Sequence, residues 1–180
     1  MNIIVAVDRR WGIGQDGQLL FSIPEDMKFF KKMTTGKVVV MGNATLRSLP
    51  GSKPLKHRVN IIMSRNPALA IEGAQVCHSL KELFSVLEPY APEDVWVIGG
   101  EVVYKQLLPY CSDAYVTKID ADAAAADKYF PNLEESADWE MTSCSEPFVH
   151  EDISYRFAHY SCRDPKKAGS ADLLKQGRTN

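Results

Sequence analysis

Residues 38–45 read VVVMGNAT. Four consecutive apolar residues, three of them β-branched, describe a strand buried on both faces. Gly42 ends that strand, and Asn43-Ala44-Thr45 opens a short helix to about Leu49. The pattern recurs at 94–108, DVWVIGGEVVYKQLL, where a strand runs into Gly99-Gly100 and then a helix. A strand that hands the chain straight to a helix, twice, predicts crossover connections. These imply an α/β fold with a mostly parallel sheet and helices on both faces.

Working outward, residues 2–7 (NIIVAV), 58–63 (RVNIIM) and 114–119 (AYVTKI) read as further strands, with a weak one at 75–77. Ser79 caps a helix whose apolar face is Leu80, Leu83, Phe84 and Leu87, with Glu82 completing a capping box. Residues 120–128 read as loop, and 139–143 with 154–161 as a C-terminal antiparallel pair, giving about eight strands in one domain. Residues 8–22 (DRRWGIGQDGQLLFS) show no periodicity; their length and their glycines predict a lid or binding loop. From Asp164 onward the chain is polar, and residues 164–180 are expected to be a flexible tail.

The chain has 180 residues, 45% apolar and 24% charged, as in an ordinary globular protein. No apolar run has membrane-spanning length, and the start lacks a basic segment before its apolar one. The four cysteines are scattered without metal-ligand spacing, which fits a reducing, cytoplasmic setting and no metal. Charge is unevenly spread. Residues 27–71 hold nine Lys and Arg and no acid, leaving 12 basic and 23 acidic residues elsewhere. Such a segment points to an anionic ligand or to a solvated basic face. The acidic remainder and the lack of a nucleic-acid motif argue against nucleic acid.

Residues 17–32, GQLLFSIPEDMKFFKK, carry the most distinctive side chain. On a helix from Pro24, Asp26 falls among Phe29, Phe30 and Met33, while Lys28, Lys31 and Lys32 fall opposite. An acid in the first turn is ordinary helix punctuation. One on the apolar arc has its charged form disfavoured and suits an amidine-like ligand or a proton transfer. Both readings stand on this stretch alone.

Three strand ends suit phosphate: Gly42 to Thr45, Gly99-Gly100, and Ser64-Arg65 with its hydroxyl and guanidinium. Together with the basic segment they favour a dinucleotide, although no G-x-G-x-x-G opens the first helix.

Across about residues 1–162 the chain resembles dihydrofolate reductase of the bacterial chromosomal type. The matching residues are Ala6, Gly12-Ile13-Gly14, Pro24-x-Asp26 with Phe29-Phe30, Val40-Met41-Gly42-x-x-Thr45 and Pro54-Leu55-x-x-Arg58. Further matches are residues 61–64, Val97-Ile98-Gly99-Gly100 with Tyr104, Tyr115-x-Thr117-x-Ile119-Asp120 and Phe130-Pro131. The resemblance implies NADPH-dependent reduction of dihydrofolate by a cytoplasmic monomer, with about 38–88 as the adenosine-binding subregion of a domain spanning 1–163. It implies that Asp26 hydrogen-bonds the pterin, with Thr117 supporting through its hydroxyl and a water, and that Leu20 and Phe21 flank the chemistry. Ile4, Val5, Ala6, Met27 and Ile98 would line the pterin pocket. Phe30, Leu49 and Leu55 would hold the aminobenzoyl ring, and Arg58 would pair with the glutamate carboxylate. At the cofactor it implies Ala6, Ile13, Gly14, Gly17, Gly42, Asn43, Ala44, Thr45, Met63, Ser64, Arg65 and His78. Ile98, Gly99, Gly100, Glu101, Val102, Val103 and Tyr104 complete that set.

The chain also departs from the family. Leu19-Leu20-Phe21 replaces the usual Leu-Pro-Trp. Asn43 and Val102 stand where relatives often carry arginine, and Ala126 stands in a loop where relatives can have glycine. Two alternatives share the architecture or the ligands: a pyrimidine reductase of riboflavin synthesis, and a non-catalytic pterin or dinucleotide sensor.

Overall fold

The computed structural model describes residues 1–123 and 125–167. Most of the expected tail, residues 168–180, lies outside the described residues. The main sheet contains β1 (Asn2–Val7), β4 (Val38–Gly42), β5 (Val59–Met63), β6 (Gln75–Cys77), β7 (Val95–Gly99), β8 (Asp113–Ile119), β10 (Trp139–Cys144), β11 (Phe148–His150) and β12 (Ile153–Cys162). Its order is β10-β12-β8-β1-β7-β4-β5-β6, with β11 paired to β12. The pairs from β8 to β6 are parallel; β12 joins β8 antiparallel. The mostly parallel architecture is as expected.

The helices are α1 (Pro24–Thr34), α2 (Asn43–Ser48), α3 (Leu80–Leu87) and α4 (Glu101–Leu107). They divide between the two faces because β1, β4 and β7 are apolar on both. Ile3, Val5, Val40 and Val97 pack with Leu83 of α3 and Val103 and Leu107 of α4. Ile4, Val39, Met41 and Ile98 pack with Phe29, Phe30 and Met33 of α1 and Leu46 of α2. Each fully buried aliphatic side chain there contributes about 1.5–3 kcal/mol. Ser79 caps α3 by accepting the Glu82 N–H at 3.1 Å, while the Glu82 carboxylate accepts the N–H of His78 rather than that of Ser79.

The glycine-bearing segment 8–22 is more ordered than its lack of periodicity predicts. It holds β2 (Gly12–Gln15) and β3 (Gln18–Leu19), which form a second small sheet with β9 (Lys128–Tyr129). Asp16 and Gly17 turn the hairpin at φ 50° and 77°. An Asp-Gly pair favours this left-handed two-residue turn. These strands are two to four residues long and are stabilised by pairing across the fold, so no local period announces them. β11 was likewise not expected.

Candidate active site

The carboxyl ends of β1, β4, β5, β6 and β7 open onto one cavity of about 970 Å³. Open α/β sheets bind ligands at this edge. β4 delivers Gly42 to Thr45, β5 delivers Met63 to Asn66, and β7 delivers Ile98 to Val103. Gly99 sits at φ +121°, and a Cβ on Gly100 would stand 3.1 Å from Thr45 Oγ1. A side chain at either position would fill the cradle that a phosphate needs to reach the backbone. These residues therefore fit a dinucleotide diphosphate.

Every residue expected at the cofactor lines this cavity. Sequence reasoning missed Gln18 and Leu19 from β3, Lys81 from α3, Gln106 from α4 and Lys128 from β9, which line it as well. The phosphate-suited turns were visible as motifs. A lysine on an exposed helix face, or on a strand that is itself unexpected, carries no such signal.

Val5, Ala6 and Ile98 also line the cavity, and they lead to the second half of the site. Thr117 lies opposite Ala6 in the β1–β8 register and donates its hydroxyl to Asp26 Oδ1 at 2.6 Å. The pairing of β8 with β1 brings the Thr117 hydroxyl close enough to make this bond directly, as the family resemblance implied for that hydroxyl. Burial pushes the Asp26 carboxyl above its ordinary range, and the Thr117 hydrogen bond pulls the other way. Asp26 thus stands apart from plain helix punctuation, since an exposed first-turn acid is not desolvated. Tyr104 is buried and donates its hydroxyl to the Ile4 carbonyl at 2.8 Å. Burial raises its pKa, and the nearby Asp26 charge adds to that.

The lining on the α1 side is apolar. Phe30, Leu49 and Leu55 are half-buried against the Ile4 and Ile98 layer. Met27 is 47% exposed. Arg58 donates to Thr34 Oγ1 at 2.9 Å and to the Lys56 carbonyl at 2.7 Å, with its guanidinium 5.8 Å from the Phe30 ring centre. These contacts aim the guanidinium along the edge of the aromatic slot. Phe21 packs with Ala6 and Ile23, whereas Leu19 rather than Leu20 or Phe21 reaches the dinucleotide cavity.

The lid is tied down at its root by a residue that sequence reasoning passed over. Asp8 is buried and accepts backbone N–H groups from Arg10 at 2.8 Å, Gly12 at 2.7 Å and Ala123 at 3.1 Å. Lid and 120s loop also pair through Gly12 with Tyr129 and Gly14 with Lys128. A Cβ on Gly12 would meet that of Ala126 at 2.9 Å. Alanine at 126 therefore leaves the two segments joined.

The dihydrofolate reductase family model matches residues 1–162. Dihydrofolate reductase of Bacillus subtilis (strain 168) is 33% identical over 171 residues, covering 94% of this chain and 98% of that protein. The Staphylococcus aureus enzyme is 31% identical over 161 residues, covering 88% and 96%. Among solved structures, dihydrofolate reductase from Enterococcus faecalis, complexed with NADP(H) and RAB-propyl, superposes with a TM-score of 0.80 at 34% identity, covering 91% of this chain and 96% of that one. With the fold, the buried carboxylate and the phosphate-suited strand ends in agreement, this chain belongs to the dihydrofolate reductase family.

Proposed function

We propose that the chain reduces 7,8-dihydrofolate to tetrahydrofolate with NADPH, adding hydride at C6 and a proton at N5. The observation that carries this is the Asp26–Thr117 pair: Thr117 lies opposite Ala6, a residue lining the cavity, and holds a carboxyl whose pKa burial raises. Bound NADPH supplies the hydride. As a carboxylate, Asp26 accepts the hydrogen bonds of the pterin's amidine-like edge, and its negative charge favours the protonated ring. Thr117 fixes the carboxylate's orientation. Ala6 and Ile98 bring the two rings together, since both border each half of the site. Arg58 holds the glutamate carboxylate in the fork geometry a guanidinium suits. Thr45 and the N–H groups after Gly42 and Gly99 hold the pyrophosphate, and Ser64 with Arg65 takes the 2′-phosphate.

The segment 8–23 closes over the nicotinamide and excludes water. The protein works as a cytoplasmic monomer, independent of nucleic acid, with residues 1–163 as one domain and about 38–88 binding adenosine. No described helix is long and apolar enough to cross a membrane. Loss of NADPH absorbance on adding dihydrofolate tests the reading: rapid loss is expected, and none would refute it. Turnover of a pyrimidine substrate in place of dihydrofolate would assign the chain to riboflavin synthesis instead. Binding of both ligands without turnover would make it a sensor.

A further inference from the structure

Three formal cations line the dinucleotide cavity, Arg65, Lys81 and Lys128, with one carboxylate, Glu101. Glu101 is taken by Lys105 at 2.6 Å, and Lys128 is held by Asp127 at 3.3 Å. Among the described residues, neither Arg65 nor Lys81 has an acidic partner. The middle of the cavity, from Asn43 to Thr45 and from Gly99 to Val102, offers backbone N–H groups and one hydroxyl but no cation of its own apart from the Glu101–Lys105 pair.

The unpaired charge therefore gathers at the Ser64 end. His78 is turned toward this end: its Nδ1 lies 2.9 Å from the Ser64 carbonyl, an acceptor only, so that nitrogen donates. Lys81 is the second residue of α3, at the positive end of the helix dipole. A cation there is disfavoured by the helix alone, and an anion bound beside it reverses that penalty.

We infer that Lys81 is a specificity-determining residue: with Arg65 it brackets the 2′-phosphate and sets the preference for NADPH over NADH. The inference rests on the dinucleotide reading of the cavity. It places discrimination at the adenosine end, where this chain keeps cations, and not beside the pyrophosphate, where Asn43 and Val102 are neutral.

Cofactor titrations without folate, followed by NADPH or NADH fluorescence, test it independently of turnover. Lys81→Ala is expected to weaken NADPH about five- to tenfold, as for loss of one charge-assisted contact. NADH affinity should change less than about twofold, and Lys81→Arg should restore most of the NADPH affinity. The Lys81→Ala effect should shrink as salt is raised. Lys128→Ala serves as the control for general cavity charge and should leave the NADPH/NADH ratio of Kd unchanged. Unchanged NADPH binding in Lys81→Ala overturns the inference, as does an equal loss for both cofactors. So does a ratio shift of the same size in Lys128→Ala. Absence of NADPH binding in the unaltered protein overturns the inference together with the dinucleotide reading. Absence of folate turnover alone, with the Lys81 pattern intact, refutes only the proposed reaction.

Discussion

On the α1 side of Ala6, the Asp26–Thr117 pair stands beside half-buried aromatic and aliphatic side chains, with Arg58 at the edge of the Phe30 ring. On the other side, the cavity is edged by glycine turns and hydroxyls, and by cations at its far end. In the proposed reading, the first half recognises its ligand through side chains, the Asp26 carboxylate and the Arg58 guanidinium. The second would recognise its ligand largely through backbone in that reading. Side-chain drift is therefore costly in the first and cheap in the second, which accounts for Asn43 and Val102 standing in a site that still fits phosphates.

The sharpest way to break the contrast is at Asp26. Asp26→Asn should lower kcat/KM for dihydrofolate by at least about 100-fold, measured at saturating NADPH, while NADPH affinity holds. Its stability should move the other way. The folded pKa of Asp26 is raised by burial, so the carboxyl favours the fold when protonated and loses that contribution as pH rises through the folded pKa. Thermal melts should show Asp26→Asn equal to the parent below the ordinary carboxylate range and more stable than it at pH 8.

Gly99→Ala tests the backbone half. At φ +121° a Cβ is strained, and it would stand 3.3 Å from the Tyr104 ring and 3.4 Å from Thr45 Oγ1. The cost should be about 1–3 kcal/mol in stability, with NADPH and NADH weakened alike in direct titration. Equal loss separates this variant from Lys81→Ala. A smaller effect is expected from Thr117→Val, which removes the hydrogen bond that restrains the Asp26 pKa. KM for dihydrofolate should rise about fivefold, as for one hydrogen bond of about 1 kcal/mol. The limb of the pH–kcat/KM profile that reports Asp26 should move to higher pH. Phe21→Trp, which restores the family's indole, should have the smallest effect of the four on kcat/KM, since Phe21 packs against the Ile23, Ile119 and Tyr155 cluster and does not line the dinucleotide cavity.

Asp26 was legible because a 3.6-residue projection is a local property, and the helix is where the projection puts it. The strand ends were legible for the same reason: VVVMG and VWVIG are each a buried strand with a glycine at its end. Asp8 was not, since its value lies in the Ala123 N–H, 115 residues away in sequence. β2, β3 and β9 escaped because each is too short to show a period and exists only through its partners. Lys81 escaped because an exposed lysine on a helix reads as solvent-facing until the cavity beside it is known. The Thr117 contact rests on the β1–β8 register, which no local pattern in the sequence shows.

The Asp8 carboxylate has a consequence for anyone recombining this enzyme with its relatives. Its three donors come from two loops, residues 8–23 and the 120s, so those loops behave as a single cassette. Grafting a foreign lid without its matching 120s loop would leave a buried charged acceptor short of donors, at a cost of about 1–3 kcal/mol. Chimaeras that exchange the intervening residues 24–119 should therefore keep both loops from one parent.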